Sequence, residues 1–184
     1  MAGASHLARI SQRELRAGLT RIGAAVGAND KGRALEDFIC YLFPLVPGVE
    51  IAERNALNVF DTEEVDIALW NARHPRGFYF LPHLLLVECK NWSKPCGSQE
   101  VSYFVHRLGQ RGCDHGILFA ANGVTGLAED LTRAHFEIAT ALAAGIRVVV
   151  LTPGDIDGIA NTDELVALMK RKLCQLVVSG TNFL

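Results

Sequence analysis

Apolar residues recur along this chain with two different periods, and the switches between them divide the sequence into elements. Leu15, Leu19, Ile22 and Val26 return at helical spacing behind a capping box of Ser11 and Glu14, so a helix is expected over residues 11–26. Asn29-Asp30 opens a second stripe of Leu35, Phe38, Ile39 and Leu42, which Pro44 stops, and Glu36 lies at its border. After Pro47-Gly48 the period falls to two. Val49-Glu50-Ile51-Ala52 alternates, and Val65, Ile67 and Leu69 alternate with Asp66, Ala68 and Trp70. A turn over residues 71–77, with Pro75 inside it, leads to an apolar strand at 84–90. Ser98 is the expected N-cap of a helix reaching about Gly109, with Val101, Phe104, Val105 and Leu108 as its buried stripe. A strand at 115–120, a helix at 127–143, a fully apolar strand at 146–151 and a closing helix at 162–177 complete the pattern.

Three successive strands joined by turns, followed by helix-strand units, imply an α/β fold. The expectation is a mixed central β-sheet flanked by helices, an αβββαβ core over about residues 30–151 with extra N-terminal and C-terminal helices. Its 184 residues suit a single domain, 1–184, with no repeat or long linker to divide it.

Composition narrows the function classes. The formal net charge is only −2, so affinity for a polyanion has to come from local patches or from a bound cation. Cys40, Cys89, Cys96, Cys113 and Cys174 are scattered and odd in number, against a disulfide framework or a four-ligand zinc site. No apolar run approaches the ~18 residues of a membrane span, and Arg9, Arg13 and Glu14 stand where a signal peptide would be apolar. A soluble cytoplasmic protein is expected. A solvated helix face accounts for Arg13, Arg16 and Arg21, and the helix dipole for Lys170, Arg171 and Lys172.

The candidate chemistry lies in Leu84-Leu85-Leu86-Val87-Glu88-Cys89-Lys90, where two charges enter an otherwise apolar strand. An unpaired buried charge costs several kcal/mol, so such charges need partners. The strand period sets Glu88 and Lys90 on one face and Cys89 on the other. A hairpin symmetric about Gly77 sets Asp66 opposite Glu88, since 77 − 66 and 88 − 77 are both 11. Opposed carboxylates destabilise a sheet unless a positive charge lies between them, and oxygen donors suit a hard divalent cation, Mg²⁺ or Mn²⁺. The plainer alternatives are a Glu88–Lys90 salt bridge on an exposed strand, a solvated edge acid at Asp66, a surface acid at Glu36, and packing roles for His115 and Trp92.

Asp66 followed by Glu88-Cys89-Lys90, behind a helix carrying Glu36, resembles the PD-(D/E)XK nuclease superfamily, in its Mrr-like and Holliday-junction-resolvase-like branches. Val65 stands where that signature has its proline. Gln99 and Tyr103 resemble the QxxxY helix of RecB-type nucleases. The resemblance implies Asp66, Glu88 and the Cys89 backbone carbonyl as Mg²⁺ ligands, Glu36 as ligand of a second ion or of a metal-bound water, and Lys90 beside the attacking water. It also implies Gln99 and Tyr103 as substrate-binding residues. The expected activity is metal-dependent hydrolysis of DNA phosphodiester bonds by an endonuclease of restriction, phage-defence or repair type, with RNA left open. One such site cuts one strand, so a homodimer or a larger complex supplying target recognition is expected. The alternatives are an inactive nucleic-acid-binding module of the same fold and a structural or partner-binding protein.

Overall fold

Two apolar faces on one sheet require cover on both sides, and the helices provide it. The computed structural model describes residues 9–57, 64–125 and 133–180. In chain order the elements are α1 (Gln12–Ala24), α2 (Ala28–Leu42), β1 (Val49–Leu57), β2 (Glu64–Asn71), β3 (Leu84–Lys90), α3 (Ser98–Gln110), β4 (His115–Ala120), α4 (Arg133–Ala143), β5 (Arg147–Leu151), a short α5 (Pro153–Ile156) and α6 (Thr162–Ser179). The five strands lie side by side in the order β1-β2-β3-β4-β5. The first three pair antiparallel, and β3, β4 and β5 pair parallel. This is the expected mixed α/β sheet with flanking helices.

Strand alternation sorts the core into two layers. Ile67, Leu69, Leu85, Val87, Ile117, Phe119, Val149 and Leu151 pack with α1, α2 and the first half of α6. Ala68, Leu86, Leu118, Ala120, Val148 and Val150 pack with α3 and α4. Both parallel crossovers therefore lie on one face. At about 25 cal/mol per Å² of apolar area, these layers are the main favourable contribution to folding.

Several boundaries differ from the sequence pattern for local reasons. Val26 is 81% exposed because α1 ends at Ala24 and the chain leaves it extended at Ala25. The N-cap before α3 is Gly97 rather than Ser98, and the Glu100 carboxylate accepts from the Gly97 amide at 2.8 Å. β1 runs past Ala52 to Leu57 through an irregularity between Ile51 and Glu53. The start of the helix expected at 127–143 lies outside the described residues, which take it up at Arg133.

Two glycines set close approaches. A Cβ on Gly77 would stand 2.1 Å from the Pro47 carbonyl oxygen, so the turn before β3 packs on the start of β1 only without a side chain there. A Cβ on Gly116 would lie 2.6 Å from Leu108 and 2.7 Å from Phe104, so the bare β4 backbone lets α3 settle against the sheet.

The connection between β2 and β3 hangs on Asn71, which is fully buried. Its Nδ2 donates to the carbonyls of Phe78 at 2.8 Å, Pro82 at 3.0 Å and Leu81 at 3.3 Å, while its Oδ1 accepts from the Arg73 amide at 3.1 Å. Asn71→Ala orphans these groups together, and each buried unsatisfied group costs about 1–3 kcal/mol. Urea unfolding is expected to show at least about 3 kcal/mol lost; a loss under about 1 kcal/mol would mean the connection holds by packing alone.

Candidate active site

The β2–β3 ladder ends at Ile67 against Val87, and the next step of that register sets Asp66 against Glu88. Here the side chain takes over from the backbone. Asp66 Oδ2 accepts from the Cys89 amide at 2.6 Å, continuing the ladder through a carboxylate. In an extended strand the amide and carbonyl of one residue leave by the same edge, so the Cys89 carbonyl faces β2 as well. The Cys89 thiol instead joins the core under α2, and burial, with the neighbouring acids, pushes it well above its ordinary range.

Glu88 is 4% exposed and is not left unpaired. Its Oε1 meets Lys90 Nζ at 2.6 Å, and its Oε2 accepts from the Arg107 guanidinium. Burial works to lower the Lys90 pKa, but the negative charges of Glu88 and Asp66 outweigh it, and the ammonium is held above its usual value. Lys90 is therefore a fixed positive charge near neutral pH.

Burial first, then the negative charge of Glu88, pushes the Asp66 carboxyl up from 3.8 to about 7. The Cys89 amide and Lys90 oppose that rise, and Glu36 adds to it. Glu36 itself is held on α2 by Arg54 of β1, whose Nε lies 3.0 Å from its Oε2. Three carboxylates from α2, β2 and β3 thus share one electrostatic neighbourhood.

The polar residues along α3 make two different sets of contacts. Gln99 Nε2 donates to Tyr103 Oη at 3.0 Å, and Tyr103 is 62% exposed. One turn further along the same row, Arg107 is the α3 residue hydrogen-bonded to Glu88. Its Nε is buried without a hydrogen-bond partner, so the guanidinium keeps one donor that Glu88 does not use. Spacing carried the signal, since 99, 103 and 107 are four apart and share a helix face. His115 Nδ1 sits 2.9 Å from Asp114 Oδ1, and Trp92 lies beside the site with Lys90 Nζ 5.7 Å from its ring centroid.

Among the described residues, no three carboxylate, histidine or cysteine side chains converge as a ready metal cage. The donors nevertheless suit a hard divalent cation. Two carboxylates and a backbone carbonyl are oxygen donors, and an Asp66 pushed up to about 7 by burial and then by Glu88 would be relieved by positive charge. One Glu88 oxygen would exchange a cationic side chain for the ion.

Residues 57–147 match the family model for the Mrr catalytic domain, described as restriction endonuclease. That match identifies a restriction-endonuclease-like nuclease domain over those residues. No curated protein matches the chain. The matched segment of this nuclease domain contains Asp66, Glu88, Cys89, Lys90, Gln99, Tyr103 and Arg107, and Glu36 falls before it. Among the described residues no helix of the nuclease domain is long and apolar enough to cross a membrane.

Proposed function

We propose that this domain hydrolyses phosphodiester bonds of DNA as a metal-dependent endonuclease, and that Asp66, Glu88 and Lys90 carry the reaction. The observation that carries this reading is the Asp66 carboxylate on the Cys89 amide, directly beside a Glu88–Lys90 pair. Asp66, Glu88 and the Cys89 carbonyl would hold Mg²⁺ or Mn²⁺, and Glu36 a second ion. Such an ion would polarise the phosphate and acidify a bound water. Lys90, kept protonated by its acid neighbours, neutralises charge as the water oxygen bonds to phosphorus and the ester oxygen leaves. Gln99 and Tyr103, paired on the exposed face of α3, contact the strand beyond the site. The protein acts as one domain in the cytoplasm, as a homodimer or within a complex that supplies target choice and the second cut.

A specific observation favours a second reading, a nucleic-acid-binding module without turnover: both Glu88 oxygens already have cationic partners. Plasmid, linear duplex, single-stranded DNA and RNA, incubated with Mg²⁺ or with EDTA, separate the two. Mg²⁺-dependent nicking supports the endonuclease, and salt-sensitive binding without cutting supports the module.

The raised Asp66 pKa has a consequence for stability. The folded state holds this proton up to about 7, whereas the unfolded chain releases it near 3.8. The stabilising contribution is therefore complete below about 3.8 and lost as pH rises through about 7. Asp66→Asn should remove this contribution, on the order of a few kcal/mol, from the pH dependence. In EDTA the variant should gain on wild type between pH 5 and pH 8 in urea unfolding. Parallel pH profiles would show that Asp66 is an ordinary solvated acid.

A further inference from the structure

Beyond the acids, the carboxyl end of β3 opens into a pocket of about 350 Å³ between the first turns of α2 and the chain that follows Lys90. That volume lies in the range of small-ligand sites, roughly 300–1,000 Å³. Lys31, Lys90 and Lys94 line it, and none of its described lining residues is acidic. Trp92 forms an aromatic wall, 37% exposed, with Lys94 Nζ 6.0 Å and Lys90 Nζ 5.7 Å from its ring centroid.

The pocket is held open by bonds across it. Asn91, buried at the end of β3, donates to the carbonyls of Ile22 at 3.1 Å and Lys31 at 3.0 Å, locking the strand end to α1 and α2. Gly27 and Gly32 keep the α2 side bare. A Cβ on Gly32 would find only the Glu36 carboxylate, at 3.7 Å, so the pocket opens toward the acid neighbourhood. Lys90 belongs to both, facing the pocket while its Nζ holds Glu88.

A flat aromatic ring, with cations around it and no acid among the lining residues, fits a planar base joined to a phosphate. We propose that the pocket takes one unpaired nucleotide of the substrate strand, its base against Trp92 and its phosphate between Lys31 and Lys94. This rests on the nuclease reading, and it names the substrate class: single strands, frayed ends, or duplexes able to surrender a base. In an intact duplex the bases are stacked inside, so reaching Trp92 requires unpairing.

The chain has two tryptophans, so Trp70→Phe leaves Trp92 as the sole reporter. In EDTA, a single-stranded oligonucleotide should quench its fluorescence, while the matching blunt duplex and inorganic phosphate should not at the same concentration. Lys31→Ala and Lys94→Ala should each weaken strand binding and reduce the salt slope by about 0.7. In the otherwise wild-type chain, Trp92→Ala should weaken binding of a labelled single strand about tenfold, read by anisotropy, with little change for duplex. Equal affinity for strand and duplex, quenching by phosphate alone, or unchanged strand binding by Trp92→Ala would each overturn the proposal. Failure of the nuclease reading registers separately, as strand binding that depends on Trp92 in a wild-type protein showing no Mg²⁺-dependent cleavage.

Discussion

Glu88→Gln should lower Mg²⁺-dependent cleavage by about 10²-fold or more, the cost of losing a group used chiefly in the transition state. The amide keeps the volume of the side chain but loses the charge that faces Lys90 and Arg107, and it can present only one acceptor oxygen. Asp66→Asn and Lys90→Ala should lose comparable activity. Cys89→Ala is the control, because its side chain packs into the core under α2 while its carbonyl is untouched, and activity should stay within several-fold. Removing one member of a buried ion pair also destabilises, by roughly 3–5 kcal/mol. Rates must therefore be measured at a temperature where circular dichroism shows Glu88→Gln folded. Full activity in a folded Glu88→Gln would remove Glu88 from the mechanism, and loss in Cys89→Ala as deep as in Lys90→Ala would put the chemistry on the wrong face of β3.

Arg107→Met should have the largest effect on stability outside the strands. Methionine retains an apolar stem but leaves Glu88 with Lys90 as its remaining cation, close to the Asp66 carboxylate. By the measured cost of breaking buried pairs, the loss is about 3 kcal/mol. For a domain of this size that is a fall in Tm of roughly 6–12 °C in EDTA. If the guanidinium occupies a Glu88 oxygen that an ion would otherwise use, Mg²⁺ should stabilise Arg107→Met more than it stabilises wild type. Thermal unfolding of both proteins in EDTA and in several millimolar Mg²⁺ makes the comparison. An unchanged Tm in EDTA would mean that the Arg107 contact contributes nothing to the fold. Equal Mg²⁺ shifts would mean that Arg107 and the ion do not compete.

The pocket beside Trp92 and the pair of acids share Lys90, and that sharing ties substrate position to charge. A strand seated in the pocket as proposed would lie beside Lys90, so positioning on the Trp92 side should act on KM and kcat together.

Much of the architecture was legible in the chain because it depends on local periodicity. A strand repeats every two residues, and one hairpin symmetric about Gly77 is enough to set Asp66 against Glu88. The same parity sends Cys89 into the opposite layer from Glu88. The order of strands and helices, and hence the mixed sheet, follows from where the period switches between two and 3.6. What the sequence left undecided depends on how separate elements dock. Arg107 reaches Glu88 because Gly116 allows α3 down onto β4; its spacing from Gln99 and Tyr103 puts it on their helix face, but nothing within α3 says that its end of that face meets Glu88. Asp66 titrates near 7 because three strangers in sequence, Glu36, Asp66 and Glu88, share a partly dry space. The pocket exists because Asn91 bonds carbonyls 60 and 69 residues away. Periodicity is a property of neighbours along the chain, whereas charge coupling and cavities belong to surfaces that meet only on folding.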